Sequence, residues 1–285
     1  MGHTTARYGF TAQTTRTAVL TGFNQVEPED FAAMRNPAPS RHCCSRVAHP
    51  RNVRRAPFAP FLELADRLQH GFFAGLEDSI CRIAQSVSFT EDIQHLIRDR
   101  WALTQLTKRS YVHGNGFVKL ELAQHYRSKL RLHVWFPDAE AREDIHDHRW
   151  TFASCVLAGT LCSEEFVDDP NGTVACHEYR YTSRSKIHAP VKELVRASRL
   201  TCVDRTLRPV GTSYVMRPGE LHRIFSSNQS LVATLMITTP PVEDGSRLLV
   251  ERNSQIEPAV ASEALKPSTT IKTLEAVLAL EGEPQ

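Results

Sequence analysis

The stretch IHDHRWTFASCVLAG, from Ile145 to Gly159, decides how this chain is read. His146 and His148 are separated by one residue, and on an extended strand residues i and i+2 point to the same face. Two imidazoles on one face can grip one metal ion, because a neutral ring nitrogen is a good donor near pH 7. A lone His-x-His is common on protein surfaces. Here it stands at the head of an apolar strand that closes on Gly159. A second segment, Met216-Arg217-Pro218-Gly219-Glu220-Leu221-His222, delivers a third histidine just after a Pro-Gly turn. Three histidines on converging strands, with coordination positions left open, are the pattern of a catalytic rather than a closed structural metal site. His146, His148 and His222 are therefore the candidate metal ligands.

Working outward, alternation dominates the middle of the chain. After Gly114-Asn115-Gly116, Val118, Leu120 and Leu122 alternate with Lys119, Glu121 and Ala123, and Leu130, Leu132 and Val134 alternate with Arg131, His133 and Trp135. Period-2 patterning means strands with a buried face. Further strands are expected at 151–158, 161–167, 173–182, 200–203, 207–210, 213–216 and 231–238, punctuated by Asp169-Pro170-Asn171-Gly172 and Pro218-Gly219. Many short, evenly spaced strands predict a sandwich or barrel.

Helical spacing precedes them. Phe61, Leu62, Leu64, Ala65 and Leu68 make an apolar face over 58–72, continued by Phe72, Phe73, Leu76, Ile80 and Ile83. Thr90 reads as the N-cap of a further helix whose apolar face is Ile93, Leu96, Ile97 and Trp101. Ile271, Leu274, Val277 and Leu278, after Pro267-Ser268, predict a C-terminal helix packed on the barrel. The organisation expected is a basic, poorly ordered arm over 1–56, a helical segment over 57–112, a barrel over 113–251 and a tail with a helix over 252–285. The arm reading rests on Asn36-Pro37-Ala38-Pro39-Ser40, which resists regular structure, and on an excess of arginine over Glu27, Glu29 and Asp30.

Leu132-His133-Val134-Trp135, Ile145-His146-Asp147-His148, Val156-Leu157-Ala158-Gly159, Leu221-His222-Arg223 and Thr239-Pro240-Pro241 together resemble the cupin superfamily, and within it the cysteine dioxygenase branch of three-His thiol dioxygenases. The resemblance spans roughly 115–242. It implies a mainly β fold: a single, jelly-roll-like cupin β-barrel with preceding helices. It also implies Fe(II) held by His146, His148 and His222, with O2 and a small thiol or amino-acid-like molecule as substrates. General cupins often add a glutamate four or five residues after the second histidine; Phe152 and Ala153 stand there, which favours a three-His site. The branch's Ser-His-Tyr run is replaced by Thr234, Met236 and Thr238. Cys155 lies seven residues after His148, where the branch has its cross-linking cysteine at five, and reads as a buried barrel residue. Lys119 falls near the branch's carboxylate-holding arginine; it reads either as that anion anchor or as a solvent-facing strand residue.

Further substrate-lining candidates are Trp150, on the side of His146 and His148, and Tyr179 and Tyr181, which share a face with His177. Each also has a plain reading, as core for Trp150 and as outer face for the tyrosines. Thr234, Met236 and Thr238 read equally as pocket lining or as core. Asp147 points away from the metal and is expected to make a supporting hydrogen bond. His133 is an outside candidate for a fourth imidazole.

Composition narrows the class. A net charge of +2 gives no electrostatic case for nucleic acid. No apolar run reaches the length of a membrane span, and no secretory leader pattern appears. Seven cysteines without a CxxC read as reduced thiols of a cytoplasmic protein. There is no nucleophile elbow, Walker loop or dinucleotide fingerprint. Three functions follow: an iron(II) dioxygenase-like oxidoreductase, a non-oxidative Zn, Ni or Mn enzyme (isomerase, rearrangement or lyase), and a non-catalytic ligand-binding cupin.

Overall fold

A computed structural model describes residues 56–137, 143–182, 191–226, 230–254 and 263–280. The expected basic arm lies outside these residues. Four helices come first: α1 (Ala59–Gln69), α2 (Leu76–Ala84), α3 (Val87–Arg98) and α4 (Arg100–Arg109). On α1, Phe61, Leu64, Ala65 and Leu68 are buried, the i, i+3, i+4, i+7 stripe of an amphipathic helix. The stripe does not run on through Phe72 and Phe73, which lie exposed between α1 and α2; Gly75, at φ 69, turns the chain there. The cap of α3 is Ser86, not Thr90: its side chain accepts from the Phe89 N–H. Asp99 then ends α3 in extended backbone and caps α4 by accepting from the N–H groups of Trp101 and Ala102. Trp101 thus starts a new helix and is 73% exposed instead of joining the face of Ile93 and Leu96. The C-terminal helix, α5 (Pro267–Leu280), buries Thr270, Thr273, Leu274 and Val277. Among the described residues, no helix is long and apolar enough to cross a membrane.

The rest is β structure: β1 (Tyr111–Val112), β2 (Val118–His125), β3 (Ser128–Trp135), β4 (Ile145–His146), β5 (Phe152–Ala158), β6 (Thr160–Asp168), β7 (Val174–Thr182), β8 (Val191–Pro209), β9 (Ser213–Met216), β10 (Leu221–Ser226), β11 (Val232–Thr238), β12 (Ser246–Glu251) and β13 (Glu263–Ala264). They form two antiparallel sheets. One is seven-stranded, in the order β13-β1-β2-β3-β11-β5-β9; the other closes into a ring, β10-β4-β12-β7-β8-β6. β8 is one long strand where the sequence predicted two short ones. β7 pairs with its first half and β6 with its second, both reaching Leu200. Most of β8 is exposed, so its polar stretch at Asp204-Arg205-Thr206 carries no alternation that would join the two expected strands.

The seven-stranded sheet is buried on both faces. In one cross-strand row Leu120, Leu132, Leu235 and Cys155 are paired, and this face packs on the helices in a core with Phe61, Leu68, Ile80 and Ile93. The next row holds Lys119, His133, Thr234 and Val156, and the row beyond it Glu121, Arg131, Met236, Ser154 and Tyr214. That second face shares a core of Phe117, Trp135, Phe152 and Met236 with Leu161 and Ile224 of the ring. The two sheets therefore enclose an interior between them. The ring has its own small core on its other face, with Ile145, Phe166, Leu200, Leu221 and Leu249 fully or nearly buried.

Candidate metal centre

β4 is only two residues long, yet its position is fixed on both sides. His146 pairs with His222 of β10 and with Leu248 of β12. Strand alternation sends Ile145 into the ring core and His146 towards the interior between the sheets. Beyond β4 the chain is held by Asp147, whose N–H donates to the Arg247 carbonyl (3.2 Å) and whose Oδ1 accepts from the Arg247 N–H (2.6 Å). Asp147 thus makes the supporting hydrogen bond expected of it, and the turn it stabilises carries His148 back to the interior.

The three histidines converge. Their candidate ligand nitrogens all lie within 4.8 Å of one another, and His148 Nε2 is 2.8 Å from His222 Nε2. Two nitrogens bound at about 2.1 Å with a near-right angle at the metal are about 3 Å apart, so this pair has the spacing of adjacent ligands. His146 Nδ1 lies 2.9 Å from the Asp144 carbonyl oxygen. A Nδ1–H donated there leaves Nε2 with a free lone pair, the usual way a backbone acceptor sets a metal-binding tautomer. Burial holds the imidazoles of His148 and His222 well below their ordinary pKa. Both are neutral near pH 7. The Phe152 ring meets His148 edge-on at 4.7 Å and walls the cluster on one side.

A carboxylate also stands beside the cluster, outside the three-histidine set that could hold a metal. Buried Glu143 places Oε2 3.9 Å from His146 Nε2. It precedes the His-x-His pair by three residues instead of following it. Burial pushes its carboxyl pKa up, although the His146 charge and a hydrogen bond from Asn115 oppose this.

The other sequence candidates fall on the same interior. Thr234, Met236 and Thr238 are buried on the inner face of β11. Lys119 is not a solvent-facing strand residue: it is partly buried in the inner row beside His133. Desolvation, with the Arg131 charge, drives its ammonium pKa well down. Trp150 lies 6.0 Å from His148, ring to ring, with the guanidinium groups of Arg131 and Arg149 over it at 5.0 and 5.1 Å. Tyr179 pairs with Leu248, the partner of His146, so the register puts it, and Tyr181 two residues on, on the histidine-bearing face. His133 does not join the cluster; its ring packs 5.0 Å from Phe117.

Arg131 is the residue the sequence did not single out. It is 7% exposed, with its Nε lacking a hydrogen-bond partner. The indole nitrogens of Trp135 and Trp150 and His133 Nε2 are likewise buried without a partner among the described residues. So many unmatched donors on one inner face form a surface built to meet acceptor atoms. The signal lies in the alternation of Arg131, His133 and Trp135, which by itself does not tell an inner face from an outer one.

No protein-family model matches the chain, and no curated protein matches it. Solved structures do. One is an uncharacterised protein with a double-stranded β-helix domain from Klebsiella pneumoniae, at 14% identity over 50% of this chain and 92% of that one, with a TM-score of 0.29. A cupin superfamily protein from Desulfitobacterium hafniense aligns at 11% identity over 45% of this chain and 81% of that one, TM-score 0.27. A variant of oxalate decarboxylase from Bacillus subtilis aligns at 10% identity over 48% and 29%, TM-score 0.31. TM-scores at this level do not establish a common fold. The class stands on the hydrogen-bonded strand order itself: a mainly β protein of two antiparallel sheets, with helices before them and one after.

Proposed function

We propose that this chain is a metal-dependent cupin enzyme, with His146, His148 and His222 holding Fe(II), that oxidises a small anionic thiol or amino-acid-like substrate with O2. One observation carries the reading: three imidazoles from two distant segments of the chain converge on an interior whose opposite wall presents unmatched donors. Bound iron(II) would supply a Lewis-acidic centre that conducts electrons between substrate and oxygen. The protein's own part is binding and exclusion. Arg131 and Lys119 hold the substrate anion, Arg131 through its free Nε and Lys119 as a donor in the inner row beside His133. Tyr179 and Tyr181 donate hydrogen bonds from the histidine-bearing sheet. Trp150 and Phe152 keep water from the histidines, and Thr234, Met236 and Thr238 shape the floor. The test is anaerobic reconstitution with Fe(II), followed by oxygen uptake with small thiols and amino acids. Stoichiometric uptake that disappears in His148→Ala supports the reading; no uptake with any member, at full iron occupancy, overturns it.

A second reading has its own support. Thr234, Met236 and Thr238 replace the side chains with which thiol dioxygenases position substrate and oxygen, and Glu143 puts an acid beside His146. These favour a non-oxidative Zn, Ni or Mn enzyme in which Glu143 moves a proton. Turnover that continues without O2 would select it.

A further inference from the structure

Cys81 on α2 and Cys155 on β5 are 74 residues apart in sequence, yet their sulfur atoms lie 3.2 Å from one another. Both are free thiols. Cys155 is 1% exposed, on the helix-facing side of β5 in the row of Leu235. The sheet therefore separates it from the metal-facing interior. Cys81 is only half-buried; its sulfur sits 3.8 Å from the carbonyl of Gly211 in the turn between β8 and β9. One thiol of the pair is thus reachable from solvent, and the other is held in contact behind it. This is the arrangement of an attacking and a resolving cysteine.

We infer that Cys81 and Cys155 form a thiol redox site that closes to a disulfide in response to hydrogen peroxide, pinning α2 to β5. In the first step the Cys81 sulfur attacks one peroxide oxygen: an S–O bond forms, the O–O bond breaks, and the other oxygen leaves as water after taking the thiol proton. Cys155 then attacks the Cys81 sulfur. The S–S bond forms, the S–O bond breaks, and the hydroxyl leaves as water with the Cys155 proton. In sum, two thiols lose two electrons and one peroxide becomes two waters. The order of events follows from environment. Burial, together with the neighbouring Cys81, pushes the Cys155 thiol up to about 12, so it stays protonated and does not begin the reaction.

The site is independent of the metal reading but sits next to its scaffold. Ser154 and Val156, either side of Cys155, face the interior, and Phe152 on the same strand packs on His148. The test uses the full chain, treated with hydrogen peroxide, blocked with N-ethylmaleimide, digested and weighed. The expected product is a linked peptide pair containing Cys81 and Cys155, two hydrogens lighter than the separate peptides and released by dithiothreitol. Cys155→Ala is expected to leave Cys81 as a sulfenic acid that reacts with dimedone. Recovery of both cysteines as maleimide adducts after peroxide treatment would overturn the inference, as would Cys81 oxidised further while Cys155 remains a free thiol. If Cys155→Ala does not fold, the mass of the wild-type peptides still decides.

Discussion

His148 and His222 face each other Nε2 to Nε2 at 2.8 Å, across 74 residues of intervening chain. Without a metal such a pair shares a single proton; with one, both nitrogens become ligands. Removing either ring, as in His148→Ala or His222→Ala, should weaken metal binding by more than the roughly 10–100-fold that loss of a supporting partner costs. Metal analysis after dialysis checks this. The two variants are expected to behave alike, because each leaves a site with one imidazole fewer.

Glu143→Gln removes a buried carboxylate 3.9 Å from His146 Nε2 without changing its shape. The expected result is metal affinity lower by about 10-fold with the fold intact, read by competition with a chelator. Unchanged affinity would make Glu143 a bystander to the metal.

Arg131 holds a buried charge whose Nε has no partner. Burying a guanidinium costs desolvation that the facing Glu121 charge only partly offsets, so Arg131→Met should stabilise the chain by about 1–3 kcal/mol in urea denaturation while abolishing binding of an anionic substrate. A drop in stability would show that Arg131 supports the fold instead.

Much of the architecture could be read from alternation and turns. The strand at 213–216 is legible to the residue, and so is the strand that carries Thr234, Met236 and Thr238 on one face. The convergence of His146 and His222 could also be anticipated, since both follow breaks that restart a strand. What the sequence concealed has one physical cause. A sheet covered by helices on one side and by a second sheet on the other is buried on both faces, so its polar residues look solvated when they line a pocket. Arg131 is hidden in this way, and Lys119 reads as solvent-facing as readily as an anion anchor for the same reason. Trp101 was misplaced for a different reason: hydrophobic periodicity runs through Asp99, and only the capping geometry shows that the helix ends there.

Acid should find a weak point at Glu178. Burial alone raises its carboxyl pKa, but hydrogen bonds from Arg247, Arg196 and Ser198, each 2.8 Å, outweigh this and bring it down to about 2. The folded value lies below the unfolded one of 4.5, so the stabilisation is fully present above pH 4.5 and is lost as pH falls towards 2. Glu178→Gln should lower stability at pH 7 by about 1–3 kcal/mol. Its deficit against the wild type should shrink across that acid range, as followed by circular dichroism.

Gly159 turns the chain between β5 and β6 at φ +67, and a Cβ there would come within 2.5 Å of the Leu231 carbonyl oxygen. Gly159→Ala should therefore destabilise by about 2–4 kcal/mol, from left-handed strain together with the clash. A fall in the thermal midpoint of the purified variant measures it.

The two unlike faces of β3 also guard the assembly of the protein. Shifting β3 by one position would press Arg131 and His133 against the greasy side of α1 and turn Leu130 and Leu132 towards the histidines. Both halves of such an error are penalised at once: charges stranded in oil, and a pocket emptied of everything that could greet a polar guest. A misthreaded copy would therefore be neither stable enough to persist nor able to load metal productively, and mistakes in weaving this sheet should be cleared early instead of surviving as inert protein.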